Sequence, residues 1–126
     1  MAEQEKLHGE MSQMWEIYKK CMPGVASAYD ELPKEVYKDG VLSGKIKRMM
    51  ALTGALVHGC RACILYQTEE ALTLGATVEE IMEACAVAIS LGGTMGAGET
   101  TRVVQFLEEK GLLEELKKKD HLRIRD

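Results

Sequence analysis

Cys60 and Cys63 stand two residues apart in His58-Gly59-Cys60-Arg61-Ala62-Cys63. That spacing serves thiol–disulfide exchange, a metal ligand pair or a structural bridge. In exchange chemistry a thiolate attacks and a neighbouring thiol resolves the mixed disulfide. If Gly59 breaks the chain between two helices, Cys60 lies at a helix N-terminus, where unpaired N–H groups and the helix dipole favour the thiolate. Arg61 adds positive charge to the same turn. At the helical period Cys60, Cys63, Ile64, Gln67, Ala71 and Leu74 share one stripe, so both thiols face inward and Gln67 lies over the crevice that holds them. The helix terminus acts on Cys60 and burial on Cys63, in opposite directions. The expected division is an exposed, readily ionised Cys60 with a deeper partner, and which sulfur attacks first stays open.

A closed zinc site needs four ligands, typically two such pairs, and this chain has one. Cys85 falls on the buried stripe of its own helix, where a free thiol acts as a small hydrophobe, and Cys21 ends the first helix with no ligand partner beside it. His58 could join Cys60 and Cys63 as a third ligand, which keeps zinc as an alternative, although no bound metal is expected. His58 reads equally as a proton-transfer group and as a histidine settled at a helix end by the dipole. Gly93-Thr94-Met95-Gly96-Ala97-Gly98 follows a helix rather than a strand and lacks the Lys of a phosphate loop, so it is read as a tight helix-to-helix connection.

The elements that must position these residues are all helical. Leu7, Met11, Met14 or Trp15, Tyr18 and Cys21 have helical spacing, which Pro23-Gly24 should stop. Val25 to Leu32 and the stretch after Pro33 form one or two short helical pieces closed by Asp39-Gly40. Ser43 caps a longer helix whose face is Ile46, Met49, Met50, Thr53, Leu56 and Val57, with Gly59 as its left-handed end. The next runs from Cys60 to Leu74 and stops at Gly75. Thr77 and Glu80 make a capping box for a helix with Val78, Ile81, Ala84, Cys85, Ala88 and Ile89 inside, reaching Gly92-Gly93. Its small residues allow close approach of another helix, from the same or a second subunit. A last large helix covers roughly Glu99 to Lys110, with Gly111 as its stop. The fold class is therefore all-α, with about six or seven helices, and no period-two alternation points to a strand.

With 126 residues, 29% charged and 46% apolar, the chain suits one domain over 1–126 and a soluble globule. No apolar run is expected to span a membrane. The N-terminus carries no export signal, which points to the cytoplasm, where an isolated Cys pair more often means catalysis, redox sensing or metal binding than a permanent bridge. A net charge of -4 gives no reason to expect nucleic acid. The basic run from Lys117 to Arg125 reads as a solvated end rather than an interaction tail.

From Leu42 to about Glu108 the sequence resembles the carboxymuconolactone decarboxylase superfamily, and within it the alkylhydroperoxidase D-like (AhpD-like) branch. The matching features are Lys45 and Lys47 before an apolar helix, the C-x-x-C-Ile motif, Ala71, the run Gly75-Ala76-Thr77-Val78-Glu79-Glu80-Ile81 and the closing Gly92-Gly93. The decarboxylases lack this Cys pair, so the resemblance is to the redox branch. It implies an AhpD-like helical subunit in a homo-oligomer, a trimer or hexamer. It also implies a dithiol that reduces a peroxide or disulfide substrate or relays electrons from a lipoyl-type donor to a peroxiredoxin partner, with no tightly bound cofactor. Two positions depart from the branch's pattern. Its His four residues after the second Cys is Gln67 here, and its Glu twelve residues before the first Cys is Arg48. Gln exchanges no proton at neutral pH and Arg stays charged, so neither replaces a general base. Folding the two helices together at Gly59 brings Arg48 level with Gln67 and Glu70. Arg48 is then expected to pair with Glu70 or to hold an anionic substrate group, with a solvated Glu70 as the plainer alternative.

The leading expectation is a thiol oxidoreductase with Cys60 and Cys63 as catalytic residues and His58, Gln67, Arg48 and Glu70 in support. The rivals are a non-catalytic redox sensor or zinc-binding scaffold, and a decarboxylase-like enzyme acting on a small lactone or hydroxy acid without the thiols.

Overall fold

The computed structural model describes residues 2–118, all helical or loop. Residues 119–126, most of the basic C-terminal run, lie outside the described residues. Five helices follow in order, α1 (Glu3–Cys21), α2 (Pro23–Val36), α3 (Gly44–His58), α4 (Arg61–Thr73) and α5 (Val78–Glu109), with a further helical turn over 114–118. The all-α fold is as expected from the sequence.

Local chemistry explains most of the boundaries. Ser43 accepts the Ile46 N–H at 3.2 Å and so caps α3. At the other end Gly59 adopts φ +79°, a left-handed conformation that costs an L side chain about 1–2 kcal/mol. Thr77 and Glu80 bond reciprocally, Thr77 N–H to the Glu80 carboxylate at 2.8 Å and Glu80 N–H to the Thr77 hydroxyl at 3.1 Å. The start of α1 has no side-chain cap of its own. Instead the Glu109 carboxylate at the far end of α5 accepts the N–H groups of Gln4 and Glu5 at 3.1 and 2.9 Å.

Two boundaries differ from the sequence reading. Pro23 does not merely stop α1; it takes the first position of α2, where its missing N–H costs nothing. The residues on both sides of Pro33 form one continuous α2, the first of the two alternatives read from the sequence. The expected break between two helical segments is present at Gly93, but it takes one residue rather than the stretch to Gly98. Only Gly93 leaves helical geometry (φ 57°, ψ −134°), and the chain is helical again from Thr94. Gly96 permits this, because a Cβ there would stand 2.7 Å from the Ala88 carbonyl oxygen.

The core is the wedge between α3, α4 and α5. Leu52, Leu56, Ile64, Ala71, Ile81, Ala88, Val103 and Leu107 have no solvent exposure, and Cys85 sits among them. Each large side chain so buried contributes about 1.5–3 kcal/mol. The Thr53 hydroxyl donates to the Ala84 carbonyl at 3.0 Å and fixes α3 against α5. Gly92 brings the α5 backbone against Val57, as its small size allows. Contrary to the sequence expectation, α5 is long and apolar enough to cross a bilayer. Its break at Gly93 and its packed inner face make it the core helix of this fold. The hairpin of α1 and α2 flanks the wedge, with α2 packed chiefly on α1.

Candidate functional site

Cys60 and Cys63 are joined by a disulfide at the α3–α4 corner, with Cα atoms 5.2 Å apart. The corner is built by Gly59. Its N–H and that of Cys60 both donate to the Ala55 carbonyl, at 2.8 and 3.1 Å, which closes α3 and turns the chain into α4. Cys60 is the N-cap of α4, and its Sγ accepts the Cys63 N–H at 3.3 Å. A sulfur placed there faces the unpaired N–H groups of the first turn, so negative charge on it is favoured.

The expected burial order is reversed. Cys60 is half-buried and Cys63 is exposed. The inward side of α4 is Ile64, Leu65, Thr68 and Ala71, a stripe turned away from the one expected. Leu74, placed on that expected stripe, is 47% exposed. Arg61, Ala62 and Cys63, in the first turn, are all exposed.

One turn further along α4, Gln67 meets α3. Arg48 Nη1 donates to Gln67 Oε1 at 3.1 Å, and Gln67 Nε2 donates to the Tyr37 hydroxyl at 3.4 Å. The Arg48 guanidinium carbon lies 3.7 Å from the centre of the Tyr37 ring and 5.4 Å from that of Tyr66. This cation–π stacking suits a planar guanidinium held away from water. Tyr37 reaches Arg48 from the loop after α2. That loop passes so close to α3 that a Cβ on Gly44 would be 2.7 Å from the Tyr37 carbonyl oxygen.

The structure pairs Arg48 with Gln67 one helical turn along α4 from the Cys60–Cys63 disulfide, and Glu70 takes no part in that contact. Arg48 pairs with Gln67 and not with Glu70, which is half-buried and has no ion pair or side-chain hydrogen bond among the described residues. Its neighbour Glu69 is the acid in use, 2.7 Å from Lys110 Nζ. His58 ends α3 exposed to solvent, and no cluster of three His, Cys, Asp or Glu is disposed to hold a metal among the described residues. Sequence reasoning missed Tyr37 and Tyr66. Tyr66 adjoins Gln67 and was within reach of inspection, whereas the approach of Tyr37 depends on the α2–α3 loop and had no local signal.

Two other features lie apart from this corner. A shallow open groove of about 490 Å³ between α3 and α5 is lined by Ile46, Met49, Met50, Thr53, Glu80, Glu83, Ala84 and Val87, none of them a residue with thiol or proton-transfer chemistry near the disulfide. Burial pushes the Cys85 thiol up to about 11, against a smaller opposing effect of the Thr100 hydroxyl. It is a core group, not a second redox centre.

The model of the carboxymuconolactone decarboxylase family matches residues 23–106. An uncharacterised Cupriavidus necator protein is 28% identical over 99 residues, covering 79% of this chain and 88% of its own. An uncharacterised protein of the cox locus of Paracoccus denitrificans is 32% identical over 85 residues, covering 68% and 77%. Among solved structures, a carboxymuconolactone decarboxylase family protein of Legionella pneumophila superposes with TM-score 0.80 at 24% identity, covering 84% of this chain and 95% of that one; it shares the fold. A Thermotoga maritima protein of the same family, described with a suggested part in the antioxidative response, has TM-score 0.74 at 29% identity and covers 87% and 94%.

Proposed function

Because this chain belongs to the carboxymuconolactone decarboxylase family, we propose that it is a thiol-dependent oxidoreductase of the alkylhydroperoxidase-like kind, reducing peroxides or relaying electrons to a peroxiredoxin-type partner. The observation that carries the reading is the bonded Cys pair at the start of α4, one sulfur exposed and the other at the N-cap. The antioxidative role suggested for the Thermotoga maritima relative supports it.

The first contact goes to Cys63, a reading supported by its greater exposure. In the reduced protein its thiolate attacks a peroxide oxygen, the O–O bond breaks, and the alkoxide leaves and takes a proton from solvent. Cys63 is then a sulfenic acid. The Cys60 thiolate attacks that sulfur, the S–S bond forms, and hydroxide departs to become water. The peroxide has gained two electrons and the cysteine pair has lost two. A lipoyl-type or other dithiol donor reverses this by attacking the Cys63 sulfur, with Cys60 as the leaving thiolate favoured by the helix terminus. Arg48 and Gln67 exchange no proton near neutrality, so solvent, or His58 at the same corner, supplies it. Peroxide turnover is correspondingly slow, and a protein disulfide is the alternative natural partner. The setting proposed is reducing and cytoplasmic and the assembly a homo-oligomer, a trimer or hexamer; the exposed row Val25, Tyr29, Leu32 and Val36 on α2 supports association of copies.

Peroxide-dependent consumption of dithiothreitol tests the reading. Cys60→Ser and Cys63→Ser should each abolish turnover, and only Cys60→Ser should accumulate a trappable sulfenic acid. Wild-type rates in both variants would overturn the assignment and favour a reaction that does not use the thiols.

A further inference from the structure

Arg48 is only 8% exposed, yet only one edge of its guanidinium has a protein acceptor among the described residues. Gln67 takes Nη1, whereas Nε is fully buried with no partner, and no carboxylate of the described residues forms an ion pair with this side chain. A buried guanidinium without an anion is costly, and a donor left unsatisfied adds to the cost. The unoccupied Nε–Nη2 edge is one of those that take a carboxylate through two parallel hydrogen bonds. Tyr37, which accepts from Gln67 Nε2, keeps its own O–H to donate. Tyr66, 40% exposed, is the second ring beside the guanidinium, its centre 5.4 Å from the guanidinium carbon.

We infer that Arg48, Tyr37 and Tyr66 form a carboxylate-binding subsite beside the redox pair, which selects substrates whose reactive sulfur is carried on a small organic acid. The inference rests on the thiol-exchange reading above and names the substrate class of that site. Gln67 is four residues beyond Cys63 on α4, a spacing of about 5–6 Å between Cβ atoms, and Arg48 bonds to Gln67 at 3.1 Å, so the subsite lies about one helical turn from the Cys pair. With an organic disulfide as oxidant, the Cys63 thiolate attacks one substrate sulfur and the S–S bond breaks. One carboxylate-bearing thiolate leaves and is protonated by solvent. Cys60 then attacks the Cys63 sulfur of the mixed disulfide and expels the second thiolate. The substrate has gained the two electrons that the pair has lost.

Dithiodipropionate and its diamide have the same S–S bond and length and differ in charge, which makes them the test pair. With a protein of net charge -4, general electrostatics disfavours the dianion, so a preference for it must come from a local site. The reduced wild-type protein should be oxidised by the acid about 10- to 100-fold faster, in kcat/KM, than by the diamide. Arg48→Gln should bring that ratio to within about twofold of one, and Arg48→Lys, with charge but no fork, should keep only part of it. Independently, titrating propionate into the oxidised wild type should shift the Arg48 Nε–H resonance. Equal wild-type rates for the two disulfides would overturn the subsite and leave the thiol-exchange reading standing. A ratio preserved in Arg48→Gln would also overturn it, as would dissociation of subunits at a preserved ratio, which would assign the guanidinium to a subunit contact. If neither disulfide oxidised the pair, the exchange reading would fail, and the propionate titration would decide the subsite alone, a shift supporting it and no shift overturning it. Should Arg48→Gln not fold, the wild-type ratio and Arg48→Lys carry the test.

Discussion

Substituting Gly59 by Ala tests the corner that delivers the disulfide. At φ +79° an L side chain costs about 1–2 kcal/mol relative to glycine. The new methyl group itself is accommodated, since its nearest neighbour is Met95 Sδ at 3.8 Å, an ordinary contact. The loss is therefore backbone strain and not overpacking. Gly54→Ala is the matched control: it lies inside α3 with nothing within 4 Å of the added carbon, and alanine in a helix interior gains about 0.5–1 kcal/mol. The two variants should differ by about 1.5–3 kcal/mol in opposite directions from wild type. Urea titrations at one protomer concentration, with the disulfide intact, would measure this. In a chain of this size each kcal/mol moves the melting temperature by about 3–5 °C. If Gly59→Ala proved as stable as Gly54→Ala, Gly59 would not be in the left-handed region, and the placement of Cys60 as the N-cap of α4 would fall with it.

Gly96→Ala should destabilise by about 1–3 kcal/mol in the same titration, because its methyl group would sit 2.7 Å from the Ala88 carbonyl oxygen. Gly98→Ala, in open helix, should not destabilise at all. Cys85 has a thiol raised from 9.0 to about 11 by burial. Folded chains hold its proton where unfolded chains lose it, so stability should be level below 9.0 and decline from there toward about 11. Cys85→Ala should lack that decline, and alkylation of the folded, oxidised protein should modify exposed Cys21 and spare Cys85. Glu80 is held below its usual 4.5 first by the Thr77 backbone N–H and then by Lys45. Its contribution is present above 4.5 and lost as pH falls through the folded value. Glu80→Gln should flatten the acid limb of the stability profile, and an unchanged limb would mean the capping box carries no charge effect.

What the sequence made legible is what neighbouring residues decide among themselves. Ser43 with Ile46, the left-handed glycines 59, 75 and 111, and the Thr77–Glu80 box are each set within a few residues, so side-chain type and spacing were enough. Gly93 to Gly98 misled because glycine content resembles a loop, whereas the close packing of Gly96 on Ala88 makes that content a requirement of a bent helix. The rotation of α4 was not legible for a different reason. A helical wheel places Cys63 beside Ile64, but which side of their shared stripe turns inward is decided by where α3 and α5 lie. The Arg48–Gln67 contact followed from folding two helices at Gly59, while the Tyr37 stack depends on a loop that must first cross Gly44.

The disulfide joins residues only three apart in sequence, and both already belong to the start of one helix. In a chain-entropy account so small a ring restrains the denatured chain by about 2 kcal/mol, less than a long loop would. The scaffold around it rests on Leu52, Leu56, Ile81, Val103 and Leu107, none of which depends on that bond. Opening it should therefore leave the architecture standing, with the surrounding helices as a fixed mount whether the two sulfurs are joined or apart.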